Sequence, residues 1–251
     1  MSELGKEIKY FWSQRCFAVG LPLIMLLSYA TLLHHPTVGI DDTSFKLYYV
    51  DGVSPAMGRF GLYIINKFFP LDYNPYFVEM IGLLFFCLSI SLWCIVFYRM
   101  FGDKISMLGY TIFGGVMISS PIISEVVIWY LQDGIYLGYG FTALSVLLMM
   151  ESFRIEFLDR KRTSLRKRCL QIVGGAATLT IALGFYEAFM FVFLMAMVMI
   201  FLLIRVLDHK AYSKRPLDWL VNMAAVGILA MVMRSMVING IVAIFHLESQ
   251  T

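Results

Sequence analysis

His34–Pro75 reads HHPTVGIDDTSFKLYYVDGVSPAMGRFGLYIINKFFPLDYNP and lies between two long apolar runs. It holds a paired acid (Asp41, Asp42), a third acid at Asp51, a Gly58–Arg59 step, and an amphipathic run from Ala56 to Phe69. Wound as a helix, that run puts Arg59, Tyr63, Asn66 and Lys67 on one side, and Phe60, Ile64, Phe68, Leu62, Ile65 and Phe69 on the other. It is too short and too polar to cross a bilayer. Its pattern fits a helix lying flat in the membrane interface, or one packed on the tops of neighbouring spans. Pro55 is placed to start it and Pro70 to stop it.

The flanking sequence settles the class. Of 251 residues, 60% are hydrophobic and 15% charged, with a mean hydropathy of +0.77. A soluble domain of this size is nearer half apolar and a quarter charged. One aqueous core cannot hide this excess of Leu, Ile, Phe and Met, so lipid is the solvent for much of the chain. The 20 Lys and Arg, apart from Lys46, Arg59, Lys67 and Arg234, fall in four clusters: Lys6 to Arg15, Arg99 to Lys104, Arg154 to Arg168, and Arg205 to Arg215. These alternate with acidic segments, which is the positive-inside pattern. The run KRTSLRKR (Lys161–Arg168) lies between apolar spans and reads as a topological signal, so no nucleic-acid partner is expected.

Spans are expected at about Cys16–Leu33, Tyr76–Tyr98, two within Ile105–Phe153, two within Leu170–Ile204, and one at about Leu217–Phe245. The Leu170–Ile204 stretch is too long for one crossing of a roughly 30 Å hydrocarbon core. Both its flanks are basic, so GFYEAF (Gly184–Phe189) becomes a tight outer turn. Gly174, Gly175, Ala176 and Ala177 suit close helix contact. Pro121, Glu125, Trp129 and Asp133 mark the outer turn between the third and fourth spans. The reading is an all-α polytopic membrane protein of about seven transmembrane helices. Residues 1–251 form a single module, with the N-terminus cytoplasmic, the C-terminus outside, and 34–75 as its first loop on the non-cytoplasmic side. Cys16, Cys87, Cys94 and Cys169 show no CxxC spacing and read as small packing residues.

The chemistry-bearing residues fall on the outer side. Either Asp41 or Asp42 could serve as a general base for an acceptor hydroxyl, while the other orients a sugar, pairs with Arg59 or helps bind a divalent ion. A plain solvated turn explains the pair as well. Glu125, Asp133 and Glu187 lie in outer turns. Arg234 sits about 25 Å up the last span at helical rise. An Arg at that depth calls for an anion or a water-filled cavity. A lipid-linked phosphate is one candidate; Glu187, Asp133 or the headgroups are the others. There is no Gly-rich phosphate loop, HExxH, GxSxG or CxxC, so nothing supports a cytoplasmic sugar-nucleotide site.

IDDTSFK (Ile40–Lys46) followed by MGRFG (Met57–Gly61) in the same loop resembles the Gtr type II glucosyltransferases of bacteria and their phages, O-antigen-modifying membrane enzymes of the GT-C fold. SPIISEVVIWYLQD (Ser120–Asp133) is similar to that family's Pro-to-Asp turn, and GFYEAF to its Leu-Tyr-Gln type motif. Lys46 stands near where the pattern has Arg, and Glu187 where it has Gln. The resemblance implies a GT-C-like module in a bacterial inner membrane and a polyprenyl-phosphate-linked glucose donor on the periplasmic side. It implies transfer to a glycan acceptor, with Asp41 or Asp42 as base. Lys46 and Arg59 would orient acids or sugar, Glu125, Asp133 and Glu187 would help line the substrate site, and Arg234 would meet the donor phosphate. Because the family pattern runs on into further spans, a truncated or partner-dependent form is also expected. The rival readings are a lipid-linked sugar transporter or flippase, which needs a polar path across the bilayer, and a non-catalytic membrane scaffold.

Overall fold

The computed structural model describes residues 3–34, 58–68, 75–120, 135–152, 165–207 and 216–245. Every regular element among them is helical: α1 (Glu3–Ser13), α2 (Arg15–His34), α3 (Phe60–Phe68), α4 (Pro75–Phe101), α5 (Met107–Ile118), α6 (Ile135–Ser152), α7 (Leu165–Phe185), α8 (Phe189–Leu207) and α9 (Pro216–Phe245), with a 3-10 turn at Gly102–Lys104. Asp41, Asp42, Lys46 and Asp51, and the turn carrying Pro121, Glu125, Trp129 and Asp133, lie outside the described residues.

An apolar helix stands at each of the seven positions where the sequence reading puts a span. Among the described residues, Met80–Lys104 and Trp219–Ile244 are long and apolar enough to cross a membrane. A third candidate is the pair formed by α1 and α2, which is bent by 78°. The apolar stretches of α5 to α8 are shorter. The described residues are therefore all-helical and include helices equipped to span a membrane.

The helices lock together by small residues and by hydroxyls bonded to backbone carbonyls, as packing inside lipid requires. α6 packs most extensively against α7. In that seam the run Gly174–Ala177 does what its small side chains suggest: Gly175 and Ala176 are buried, and Ser145 Oγ donates to the Gly175 carbonyl at 2.8 Å. Ser89 Oγ and Trp93 Nε1 on α4 donate to the carbonyls of Tyr136 (2.7 Å) and Tyr139 (3.2 Å) on α6. Thr180 Oγ1 on α7 donates to the Ala230 carbonyl on α9 at 3.1 Å. α4 is the central helix, with 61% of its most apolar stretch covered by the rest of the chain, against 11% for α9.

Two details differ from the sequence reading. The N-terminal segment, marked in the sequence only by its basic cluster, forms the helix α1, whose Leu4, Ile8 and Phe11 lie at helical spacing. Phe11 is fully buried, in edge contact with Phe17 (5.0 Å), Tyr98 (5.4 Å) and Tyr110 (5.6 Å). The bend falls at Gln14, whose carbonyl accepts from the N–H groups of Phe17 and Ala18. Cys87 and Cys94 are buried packing residues, but Cys16 and Cys169 are exposed on the surface of the chain.

At Gly138 on α6 the ring of Phe189 occupies the place a Cβ would take, whereas a Cβ at Gly174 would meet only Leu148 Cδ1 at 3.6 Å. Gly138→Ala is therefore expected to displace the Phe189 ring and to cost about 1–3 kcal/mol. This should appear as a lower thermal midpoint in detergent, with Gly174→Ala as the near-neutral control.

Candidate functional site

The site is built at the end of α7. That helix stops at Phe185 and α8 starts at Phe189, so Gly184–Phe189 is the tight turn the sequence leads one to expect. The Tyr186 N–H still donates to the Ala182 carbonyl at 3.2 Å, and the N–H groups of Phe189 and Met190 already reach back to the carbonyls of Tyr186 (3.2 Å) and Glu187 (3.1 Å). Tyr186, Glu187 and Ala188 thus make the whole reversal.

α3 docks on this end through reciprocal close approach. The Phe60 ring fills the space beside Gly184, and a Cβ on Gly61 would lie 3.0 Å from the Gly184 carbonyl group. Phe60 and Leu62 are buried while Ile64 is exposed. The amphipathic run thus packs on the helix bundle through its Phe60 and Leu62 side. The helix starts at Phe60 and not at Ala56, because Gly58 sits at φ +83°. That left-handed conformation suits glycine and ends any helix running through it. Nothing else fits there either, since Arg234 Nη2 stands where a Gly58 Cβ would be.

Three ionic side chains that are far apart in sequence meet here. Arg59 lays its guanidinium over the Tyr186 ring, 4.9 Å from the centroid, and its Nη2 is 3.8 Å from Glu187 Oε1. Arg234, from α9, donates through Nε to the Leu183 carbonyl (3.3 Å) and through Nη2 to the Gly58 carbonyl (3.5 Å). The same Nη2 lies 3.9 Å from Glu187 Oε2. The arginine side chains are 21% and 16% exposed, whereas the Glu187 side chain is 55% exposed. Solvent therefore screens both ion pairs to about 1 kcal/mol or less. Among the described side chains, both cations share this one carboxylate.

A second ionic cluster marks the other end of the bundle. Arg99 grips Glu7 with contacts of 2.7, 3.0 and 3.1 Å and reaches the Leu147 carbonyl at 3.4 Å. Leu147 lies about 13 Å along α6 from Gly138, which packs on Phe189 next to the turn. Arg166, exposed at the start of α7, is at the far end of that helix from Glu187. The described basic residues Arg99 and Arg166 and the Arg59–Glu187–Arg234 cluster are thus separated along the bundle.

Of the residues the sequence singles out, Arg59, Glu187 and Arg234 are brought together. Asp41, Asp42, Lys46, Glu125 and Asp133 lie outside the described residues. Among the described residues no three His, Cys, Asp or Glu side chains gather as a metal site would need; Asp41 and Asp42 are not among them. The sequence reading missed Tyr186, the Leu183 carbonyl and the conformation of Gly58. Only the Gly58–Arg59 pairing hinted at the last. Gly58→Ala is expected to lower the thermal midpoint by an amount matching about 1–2 kcal/mol of left-handed strain. A further loss should come from collision with Arg234, and Gly58→Ala/Arg234→Ala should recover only that part.

The sequence pattern of the family described as Glucosyl transferase GtrII matches residues 30–251. No curated protein and no solved structure matches the chain. The matched region contains the acidic first loop together with Arg59, Glu187 and Arg234, and it takes in most of the 251 residues. The chain belongs to the GtrII glucosyltransferase family, membrane glycosyltransferases of cell-surface glycan modification.

Proposed function

We propose that the chain takes glucose from a polyprenyl-phosphate donor and passes it to a hydroxyl of O-antigen or a related surface glycan. The reaction takes place on the periplasmic side of the bacterial inner membrane, within a seven-crossing GT-C-like module. The observation that carries this reading is the convergence of Arg59 and Arg234 at one end of the bundle, away from Arg99 and Arg166. By the positive-inside rule the basic end is cytoplasmic, which makes the Arg59–Arg234 end the outer one. A pair of guanidinium groups at the border of an apolar bundle suits a phosphate carried on a lipid tail.

In this mechanism Asp41 or Asp42 accepts the proton of the acceptor hydroxyl as its oxygen attacks the anomeric carbon of glucose. The bond from that carbon to the phosphate oxygen breaks, and the polyprenyl phosphate leaves with the electron pair. Arg59 and Arg234 meet the charge that grows on the leaving phosphate. Lys46 orients acids or sugar, and Glu125 and Asp133 help bind the substrates.

The polar residues deeper in the bundle argue against a transport path. Among the described buried polar side chains, the hydroxyls of Ser89, Ser91, Thr111, Thr142, Ser145 and Thr180 each donate to a backbone carbonyl. These six hydroxyls serve helix packing, and Gln171 is the other buried polar side chain among the described residues.

Asp41→Asn and Asp42→Asn, made separately, test the mechanism by glucose incorporation into the surface glycan. One of the two is expected to lose roughly 10²–10⁴-fold in rate, the usual worth of a positioned general base. Full activity in both would remove it.

A further inference from the structure

The two arginines of the site are held by groups other than the acid they share. Arg234 is fastened by the Leu183 and Gly58 carbonyls, and Arg59 by the face of Tyr186. Glu187 is held far less firmly. Its carboxylate stands 3.8 and 3.9 Å from the guanidinium nitrogens, beyond hydrogen-bond length. Its side chain is 55% exposed on a three-residue turn. The same chain shows what a permanent ion pair looks like: Arg99 and Glu7 meet at 2.7 Å with side chains only 14% and 15% exposed.

From this contrast, and resting on the glucosyl-transfer reading above, we infer that Glu187 is a displaceable seat-keeper. Its carboxylate marks the place between Arg59 and Arg234 that the phosphate of a ligand takes over. Geometry and charge both favour the exchange. A phosphate presents several oxygens at hydrogen-bond length to two guanidinium groups, where the carboxylate reaches neither. When phosphate enters, Glu187 swings to solvent on its exposed side, and the arginines keep their carbonyl and ring partners. The acid thus stands beside the two guanidinium groups while the site is empty and competes with the ligand for them. It sets the affinity for phosphate without taking part in bond making.

The test is direct binding to the full-length chain reconstituted in phosphatidylcholine vesicles, with a radiolabelled polyprenyl monophosphate as probe and inorganic phosphate as competitor. Glu187→Gln and Glu187→Ala are both expected to bind the lipid phosphate about tenfold more tightly than the unaltered chain. Arg59→Ala and Arg234→Ala should bind it at least tenfold more weakly. If inorganic phosphate displaces the probe from Glu187→Gln at low millimolar concentration, the seat reads the phosphate alone. If it does not, the lipid tail is part of the ligand. Either result supports the seat. Unchanged or weaker binding in both Glu187 variants overturns the inference. So does loss of their thermal transition, because a displaceable carboxylate holds nothing together. The outcome separates from that of the transfer mechanism. Tighter binding in the Glu187 variants with full activity in the Asp41 and Asp42 variants keeps the seat and removes the mechanism; the opposite pair of results does the reverse.

Discussion

A guanidinium deep in an apolar helix must be surrounded by oxygen, and in lipid there is little water to supply it. Arg234 meets that demand from three separate parts of the chain. The Leu183 carbonyl is among the last four of α7, which have no donor inside their own helix, and the negative end of the helix dipole favours a cation there. The Gly58 carbonyl comes from the step before α3, and the carboxylate from the turn into α8. One planar cation thereby draws the end of α7, the start of α3 and the upper part of α9 to a single point. The left-handed Gly58 follows from the same demand. Its carbonyl must face Arg234, and with Arg234 Nη2 lying where a Cβ would be, only a residue without a side chain fits.

Close approach by glycine is the second theme, and it works alongside charge. Gly184 and Gly138 each give up their side-chain space to a phenylalanine ring, Phe60 in one case and Phe189 in the other. These rings flank the Tyr186–Ala188 turn from two directions and hold it without polar contacts. Aromatic rings are large and stiff, so such contacts fix position at small entropic cost. The ionic groups of the site therefore sit on a rigid base built of apolar matter.

Much of this was legible in the sequence, for identifiable reasons. Long apolar runs separated by basic clusters report where helices lie, because a hydrophobic stretch and its charged flanks are local properties. The turn at Gly184–Phe189 was readable for the same reason, since a 35-residue apolar stretch with one acid in it has few ways to fold. Arg59, Glu187 and Arg234 stood out as charges in apolar surroundings, and the Arg234–Glu187 pair was among the partners weighed. What escaped was set by tertiary contact. Tyr186 stands out in the sequence only as part of GFYEAF, and its place under the Arg59 guanidinium is a matter of tertiary contact. The start of α3 was misjudged because the amphipathic period runs back to Ala56, while the backbone sign at Gly58 is dictated by a neighbour 176 residues away. α1 was passed over because its charges outweighed a stripe of only Leu4, Ile8 and Phe11.

The elbow between α1 and α2 bears on how the chain is made. Glu7 leaves the ribosome 92 residues before Arg99, and the Leu147 carbonyl follows 48 residues later still. Until Tyr98 and Arg99 have emerged, the first helix has only its immediate successor to rest on, and its acid has no partner. Its docking therefore waits on sequence far from its own: α1 is fastened only once α4, with Arg99 in its last turn, has been made.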